Sequence, residues 1–172
     1  MKAAAVAAAL LVAASTQARH AKLPDVKYVP TPQNVVEEML AMARVTSADI
    51  VWDLGSGDGR IPITAARTFG ARGVGVEIDR QLVQQARENA RQAGVADRVW
   101  FVEGDLFDTD FSSATVVTLF LMPKVNEALM PKLKALKPGS RVVSHMWDMG
   151  PDWEPDETRD VNSLLIRLWT VK

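Results

Sequence analysis

Two rhythms of apolar and polar positions alternate along most of the chain. Val35, Val36, Met39, Leu40 and Ala43 recur at the spacing of one helix face through Arg44. Thr31-Pro32 before them reads as an N-cap followed by proline at the first helical position. A short apolar run, Ile50–Leu54, predicts a buried strand, and a glycine-rich turn follows it at once. Ile61, Ala65 and Phe69 then predict a helix from about Arg60, with Gly70 placed to end it. Residues 73–78 read as the next strand. Asp79 caps a helix over residues 80–93 whose inward positions are Leu82, Ala86, Ala90 and Ala93, and Gly94 stops it.

Further strands are expected at Val99–Glu103 and at residues 115–121. The second of these is apolar almost without break, as a central parallel strand covered on both faces should be. Val125, Leu129, Leu133 and Leu136 mark another helix, which Pro131 should kink or split. Lys137-Pro138-Gly139 turns the chain into a strand over Arg141–His145, and a loop rich in proline and acid leads to a hairpin ending in residues 164–171. The alternation predicts an α/β fold: a Rossmann-like, doubly wound, mostly parallel sheet with an antiparallel C-terminal edge pair.

Composition narrows the chemistry. At 172 residues the chain fits one domain, and 48% apolar with 24% charged residues is ordinary for a globule. A net charge of −1 gives no basic excess to attract nucleic acid, so no nucleic-acid partner is expected. Without cysteine there is no disulfide, thiolate nucleophile or cysteine zinc site, and two histidines make no His-rich metal centre. The first residues stand apart. Met1-Lys2, an alanine-rich run over residues 3–14 and Ser15-Thr16-Gln17-Ala18 resemble a secretory signal. The run is shorter than the roughly 20 residues of a membrane span. The chain thus divides into a signal-like segment (1–18), an extended arm carrying Pro24 and Pro30 (19–30) and one domain (31–172), with export expected and a cytoplasmic protein as the alternative.

The candidate site is the run Asp53-Leu54-Gly55-Ser56-Gly57-Asp58-Gly59-Arg60. A glycine turn between strand and helix brings bare backbone up to a ligand. A dinucleotide fingerprint would have its third glycine where Arg60 stands. Asp53 and Asp58 would repel a pyrophosphate but suit a cationic ligand with hydroxyl and amine donors, such as S-adenosylmethionine (SAM). Glu77 ends the next strand and could accept both ribose hydroxyls. Asp105 could accept from an adenine amine while Leu106 packs on the ring. At the tip of the central strand, Leu119-Phe120-Leu121-Met122-Pro123 lacks the Asn/Asp-Pro-Pro-aromatic motif of enzymes that methylate bases or glutamine, which argues against those acceptors.

Asp53 to Arg60, with Glu77 and Asp105, resembles the class I, seven-strand SAM-dependent methyltransferases. A closer likeness covers about residues 28–156. Its landmarks are Tyr28-Val29-Pro30-Thr31-Pro32, the glycine turn, Leu136-Lys137-Pro138-Gly139 and Val142-Val143-Ser144-His145. Together they resemble the small protein-lysine methyltransferases of archaea and mitochondria, which modify the adenine nucleotide translocase and the c-ring protein of the ATP synthase. The resemblance implies SAM as donor and a protein lysine as acceptor. The Tyr-x-x-Thr spacing is similar to that of the non-SET histone lysine methyltransferase, which implies that Tyr28 and Thr31 close over the methionine part of SAM. At Met146-Trp147 the chain departs from the family, whose members often have an acid and a phenylalanine there. His145 is a candidate proton relay, and Trp147 and Trp153 are candidate cation–π walls for the acceptor amine. Two further readings stand beside this one. They are a small-molecule methyltransferase on the same fold and an exported SAM- or nucleoside-binding protein without turnover, since SAM is made in the cytosol.

Overall fold

The computed structural model describes residues 28–172, so the signal-like segment and most of the arm lie outside the described residues. Eleven elements follow in order: α1 (Gln33–Met42), β1 (Ile50–Leu54), α2 (Arg60–Phe69), β2 (Arg72–Glu77), α3 (Arg80–Gln92), β3 (Val99–Glu103), β4 (Val116–Leu119), α4 (Pro123–Lys134), β5 (Arg141–His145), β6 (Glu157–Val161) and β7 (Leu164–Thr170). They build one seven-stranded sheet in the order β3-β2-β1-β4-β5-β7-β6. The first five strands of that order are parallel neighbours. β7 runs antiparallel to both β5 and β6, as the patterning of the last residues predicts.

Side chains alternate across the sheet, and each face has its own core. Val51, Val116, Val143 and Ile166 point to the side where α1 and α2 lie. Trp52, Leu54, Val117, Leu119, Val142 and Trp169 point to the other, where Leu129 and Leu133 of α4 meet them. α3 covers Val99 and Phe101 of β3. Covering both faces explains why β1 and β4 read as unbroken apolar runs. The chain winds outward from β1 to β3, then returns to β1's other side with β4. A crevice opens at that reversal, outside the carboxyl ends of β1 and β4, where open α/β sheets bind ligands.

β2 shows how closely the layers meet. Its Gly-Val-Gly-Val run over residues 73–76 sends valines to one face and bare backbone to the other. A Cβ on Gly73 would lie 2.7 Å from the Cβ of Pro62 and 2.8 Å from its carbonyl oxygen, so α2 rests directly on the strand.

Four local expectations are corrected. Thr31 does not cap α1: the helix begins at Gln33, Pro32 flanks it, and the Pro32 carbonyl accepts from the amides of Val35 and Val36. The Thr31 hydroxyl instead meets His145, 114 residues away. On α3 the inward residue is Val83, not Leu82. α4 is not split at Pro131 but runs on to Lys134. Leu129 and Leu133 are both fully buried on either side of it, and their packing outweighs the one backbone bond that proline cannot donate. The strand expected over residues 115–121 stops at Leu119, which frees Phe120 and Leu121 for the crevice.

Gly73→Ala should lower unfolding stability by about 1–3 kcal/mol, the usual cost of overpacking against backbone. Urea denaturation of the variant against the parent checks this, and an unchanged midpoint would contradict the close contact of α2 with β2.

Candidate active site

The crevice holds a cavity of about 270 Å³. Its walls come from the tips of β1, β2 and β4, the start of α3, the turn after β3 and the arm residues Tyr28 to Thr31. The floor is the glycine turn. Amides of Gly55 and Ser56 both donate to the Val76 carbonyl at 2.9 Å, folding the turn back over β2. Asn89 of α3 donates to the Asp58 carbonyl at 2.9 Å and holds the far side. Gly57 has φ +52° and lies under the Tyr28 ring, where a Cβ would come within 2.3 Å of Cε2. Only glycine lets this ring lie flat on the turn.

The acids are bound unequally. Asp53 is 3% exposed and accepts a 2.7 Å hydrogen bond from the Thr118 hydroxyl. Burial drives its pKa up to about 7; the Thr118 bond pulls against this, and the charges of Glu77 and Asp58 add to it. Glu77 accepts three backbone amides: Gly57 at 2.9 Å on Oε2, and Ile78 at 2.8 Å and Asp79 at 2.9 Å on Oε1. Asp58 is held by the Arg60 guanidinium, Nε to Oδ1 at 2.9 Å and Nη2 to Oδ2 at 2.7 Å, and also by Tyr28. Burial would raise its pKa, but these bonds bring it below the ordinary carboxylate value. Asp105 Oδ1 accepts from the Phe107 amide at 2.9 Å within its own turn.

Most of the expected site residues meet in this one cavity. Tyr28, Thr31, Asp53, Gly55, Ser56, Asp58, Glu77, Asp105 and Leu106 all line it, and Gly57 carries the amide that grips Glu77. Three candidates do not reach it. His145 is buried behind Phe120, with ring centroids 4.1 Å apart; burial lowers its pKa to about 4, so it is neutral near pH 7. Trp147 is 38% exposed and leaves β5 through a turn at Met146, whose φ is +67° and which the Trp147 amide closes on the His145 carbonyl. Trp153 packs on Trp169, with Lys134 over its ring. Asp58 faces the cavity and is paired there with Arg60. Sequence reasoning passed over Asp79, Leu82 and Phe120 as cavity residues. The signal was present for Asp79, a helix-capping acid directly after Glu77 and Ile78.

The cavity fits a donor that is cationic and carries hydroxyls. Gly55 and Ser56 of the glycine turn line it, and the buried Ser56 hydroxyl packs over Gly75, where a Cβ would come within 2.5 Å of Oγ. Glu77 keeps lone pairs beyond its three amides, and Asp53 is held without a compensating cation. Residues 53–157 match the model of the ANTKMT methyltransferase domain.

The chain belongs to the ANTKMT methyltransferase family.

It is 52% identical over 137 residues to a protein-lysine N-methyltransferase of Saccharolobus islandicus, covering 78% of this chain and 84% of that one. It is 39% identical over 133 residues to the mouse adenine nucleotide translocase lysine N-methyltransferase, and 36% identical over 132 to the mouse lysine N-methyltransferase that acts on the c-ring protein of the ATP synthase. Each alignment takes 76% of this chain and little more than half of the mouse proteins (57% and 52%). Among solved structures, one described as an RNA methyltransferase of Salinibacter ruber in complex with S-adenosyl-L-homocysteine superposes with a TM-score of 0.81 at 58% identity. It covers 83% of this chain and 94% of that one. This member of the family is therefore a SAM-dependent methyltransferase.

The environment of Asp53 makes donor binding and stability oppose each other. Its folded pKa, about 7, lies above its value of 3.8 in an open chain. Between those pH values the native state keeps a proton that the unfolded chain has released, so this group lowers stability as pH rises through the window and adds no further change above it. Neutral His145 contributes the opposite slope between about 4 and 6.5. Asp53→Asn removes only the first contribution. The ligand-free variant should equal or exceed the parent in stability at pH 8, with the difference shrinking toward pH 4, yet bind S-adenosylhomocysteine and SAM more weakly. Denaturation across pH, with calorimetry, tests both halves. Gly57→Ala should displace Tyr28 and weaken S-adenosylhomocysteine binding by roughly tenfold, about 1.4 kcal/mol; calorimetric affinity equal to the parent's would refute that contact.

Proposed function

We propose that this methyltransferase transfers the methyl group of SAM to the ε-amine of a protein lysine. The observation that carries the reading is the charge of the cavity. Five carboxylates line it (Asp53, Asp58, Glu77, Asp79 and Asp105) against one guanidinium, Arg60, already committed to Asp58. Such a mouth attracts an ammonium and repels a phosphate backbone. The lysine methyltransferases among its relatives support the same choice.

SAM, when bound, would supply an electrophilic methyl on a sulfonium for the acceptor nitrogen, with the thioether as leaving group. Glu77 would accept the ribose hydroxyls, Asp105 would accept from the adenine amine and Leu106 would pack on its ring. Gly55, Ser56 and Gly57 would bring backbone close to the donor, and Tyr28 and Thr31 would hold its methionine part. The protein need supply no nucleophile. It must hold the amine in line, and positioning of this kind can contribute up to roughly 7–11 kcal/mol. A lysine with the reference pKa of about 10.4 has almost no free lone pair near neutrality. Phe120, Leu121 and Val125 form the apolar side of the cavity, and desolvation against them favours the neutral amine. Water can then carry the proton away.

One observation favours an alternative acceptor, the description of the Salinibacter ruber relative as an RNA methyltransferase. Incubating the purified enzyme with labelled SAM and cell extract, then separating protein, RNA and small metabolites, distinguishes the readings. Label should appear in protein as methyl-lysine and should be lost in folded Asp53→Ala and Glu77→Ala variants. Label confined to RNA or to small metabolites would overturn the lysine reading. Sequencing the mature N-terminus from isolated membrane, periplasmic and cytosolic fractions addresses export: a chain starting at Arg19 outside the cytosol supports it, and an intact Met1 refutes it.

A further inference from the structure

The wall formed by Tyr28 to Thr31 belongs to no helix or strand, yet it has one place to lie. Its own sequence does not explain this. Pro30 and Pro32 keep it extended but give it no partner in the sheet. Its partners are side chains from a helix start and a strand tip. Arg60, the first residue of α2, uses Nη1 to donate to the Thr31 carbonyl at 2.9 Å, while its other two nitrogens grip Asp58. His145, the last residue of β5, shares a 3.2 Å hydrogen bond from Nδ1 with the Thr31 hydroxyl. The same imidazole lies against Phe120, which also lines the cavity, with the two rings tilted by 39°. His145 touches two walls and is not itself part of the cavity surface.

This arrangement is costly unless it does something. His145 is 2% exposed, and its Nε2 is buried without a partner. A phenylalanine there would avoid leaving a polar nitrogen unsatisfied. Residues that depart from the most stable choice mark places where position matters more than stability.

We propose that His145 and Arg60 are positioning residues that pin Tyr28 to Thr31 as a fixed wall of the donor cavity, setting the affinity and residence time of SAM and its product. Arg60 fixes the backbone of the segment and carries Asp58, which in turn holds Tyr28 over Gly57. His145 fixes the side chain of Thr31 and the tilt of Phe120 together. A donor entering a wall already in place need not order it, so the pins act on binding rather than on the methyl-transfer step.

His145→Phe is the decisive variant. It keeps a ring against Phe120, removes the bond to Thr31 and removes the orphaned nitrogen. The proposal expects a melting temperature close to the parent's, since the orphaned nitrogen goes but the Thr31 hydroxyl loses its partner, while Kd for S-adenosylhomocysteine and KM for SAM rise about three- to tenfold and the dissociation rate rises with them. The rate at saturating SAM should change by less than twofold. Arg60→Lys, which keeps a charge beside Asp58 but lacks the second prong, should raise Kd for S-adenosylhomocysteine and its dissociation rate in the same direction. Because both pins hold one segment, the double variant should lose less affinity than the product of the two single losses. A His145→Phe protein that folds and binds S-adenosylhomocysteine with the parent's Kd and dissociation rate overturns the proposal. So does a fall in kcat with KM unchanged, which would assign His145 to the reaction itself. Should His145→Phe not fold, Arg60→Lys decides by its Kd and dissociation rate for S-adenosylhomocysteine. The proposal rests on the cavity being the donor site. Failure of the parent protein to bind S-adenosylhomocysteine would refute that premise, whereas parent binding with unaltered variants refutes only the pins.

Discussion

Asp53 is a carboxylate buried at the tip of a central strand with only the Thr118 hydroxyl for company, and the architecture of the site follows from that placement. A charge there is expensive, and the pKa of about 7 expresses that expense. Glu77 and Asp58 add to that expense through their charges, even though each has partners of its own. Arg60 neutralises Asp58, and three backbone amides receive the charge of Glu77. Asp53 is left with the Thr118 hydroxyl, and a cationic donor would relieve its charge. The topology supplies the location, because only at the reversal between β1 and β4 do strand tips diverge enough to leave a crevice.

Much of this was legible along the chain because its chemistry is local. Strand, glycine turn and helix over residues 50–69 follow from spacing, and so do Glu77 at the tip of β2 and Asp79 at the start of α3. The readings that failed depended on distant partners. Thr31 has the local signature of a cap, but His145 claims its hydroxyl from across the sheet. Leu82 and Val83 sit side by side on α3, and an apolar pattern cannot say which faces the core and which faces a cavity that is itself partly apolar. One partner is local: Arg60 folds back onto Asp58, two residues before it, which spacing alone did not announce. Trp147 and Trp153 are exposed or packed according to turns that no periodicity announces.

The comparisons agree with the site on the reaction and divide on the acceptor. A relative at 52% identity carries a lysine-methyltransferase description, and one at 58% identity carries an RNA-methyltransferase description. The donor side of the cavity comes from β1, β2 and the turn after β3. Phe120 and the exposed Val29 and Met122 lie in loops rather than in strands. A common fold can keep the first constant while the second varies, which is how one scaffold serves different substrates.

The grip of Glu77 has a thermodynamic meaning beyond charge. One side chain joins the glycine turn to the amides at the head of α3, so two loops that could have fluctuated separately are tied to the same strand end. Their disorder is surrendered when the sheet forms, not when a nucleoside arrives. Recognition then draws on a surface whose entropy was lost earlier, and even a small molecule can be held there through a few contacts.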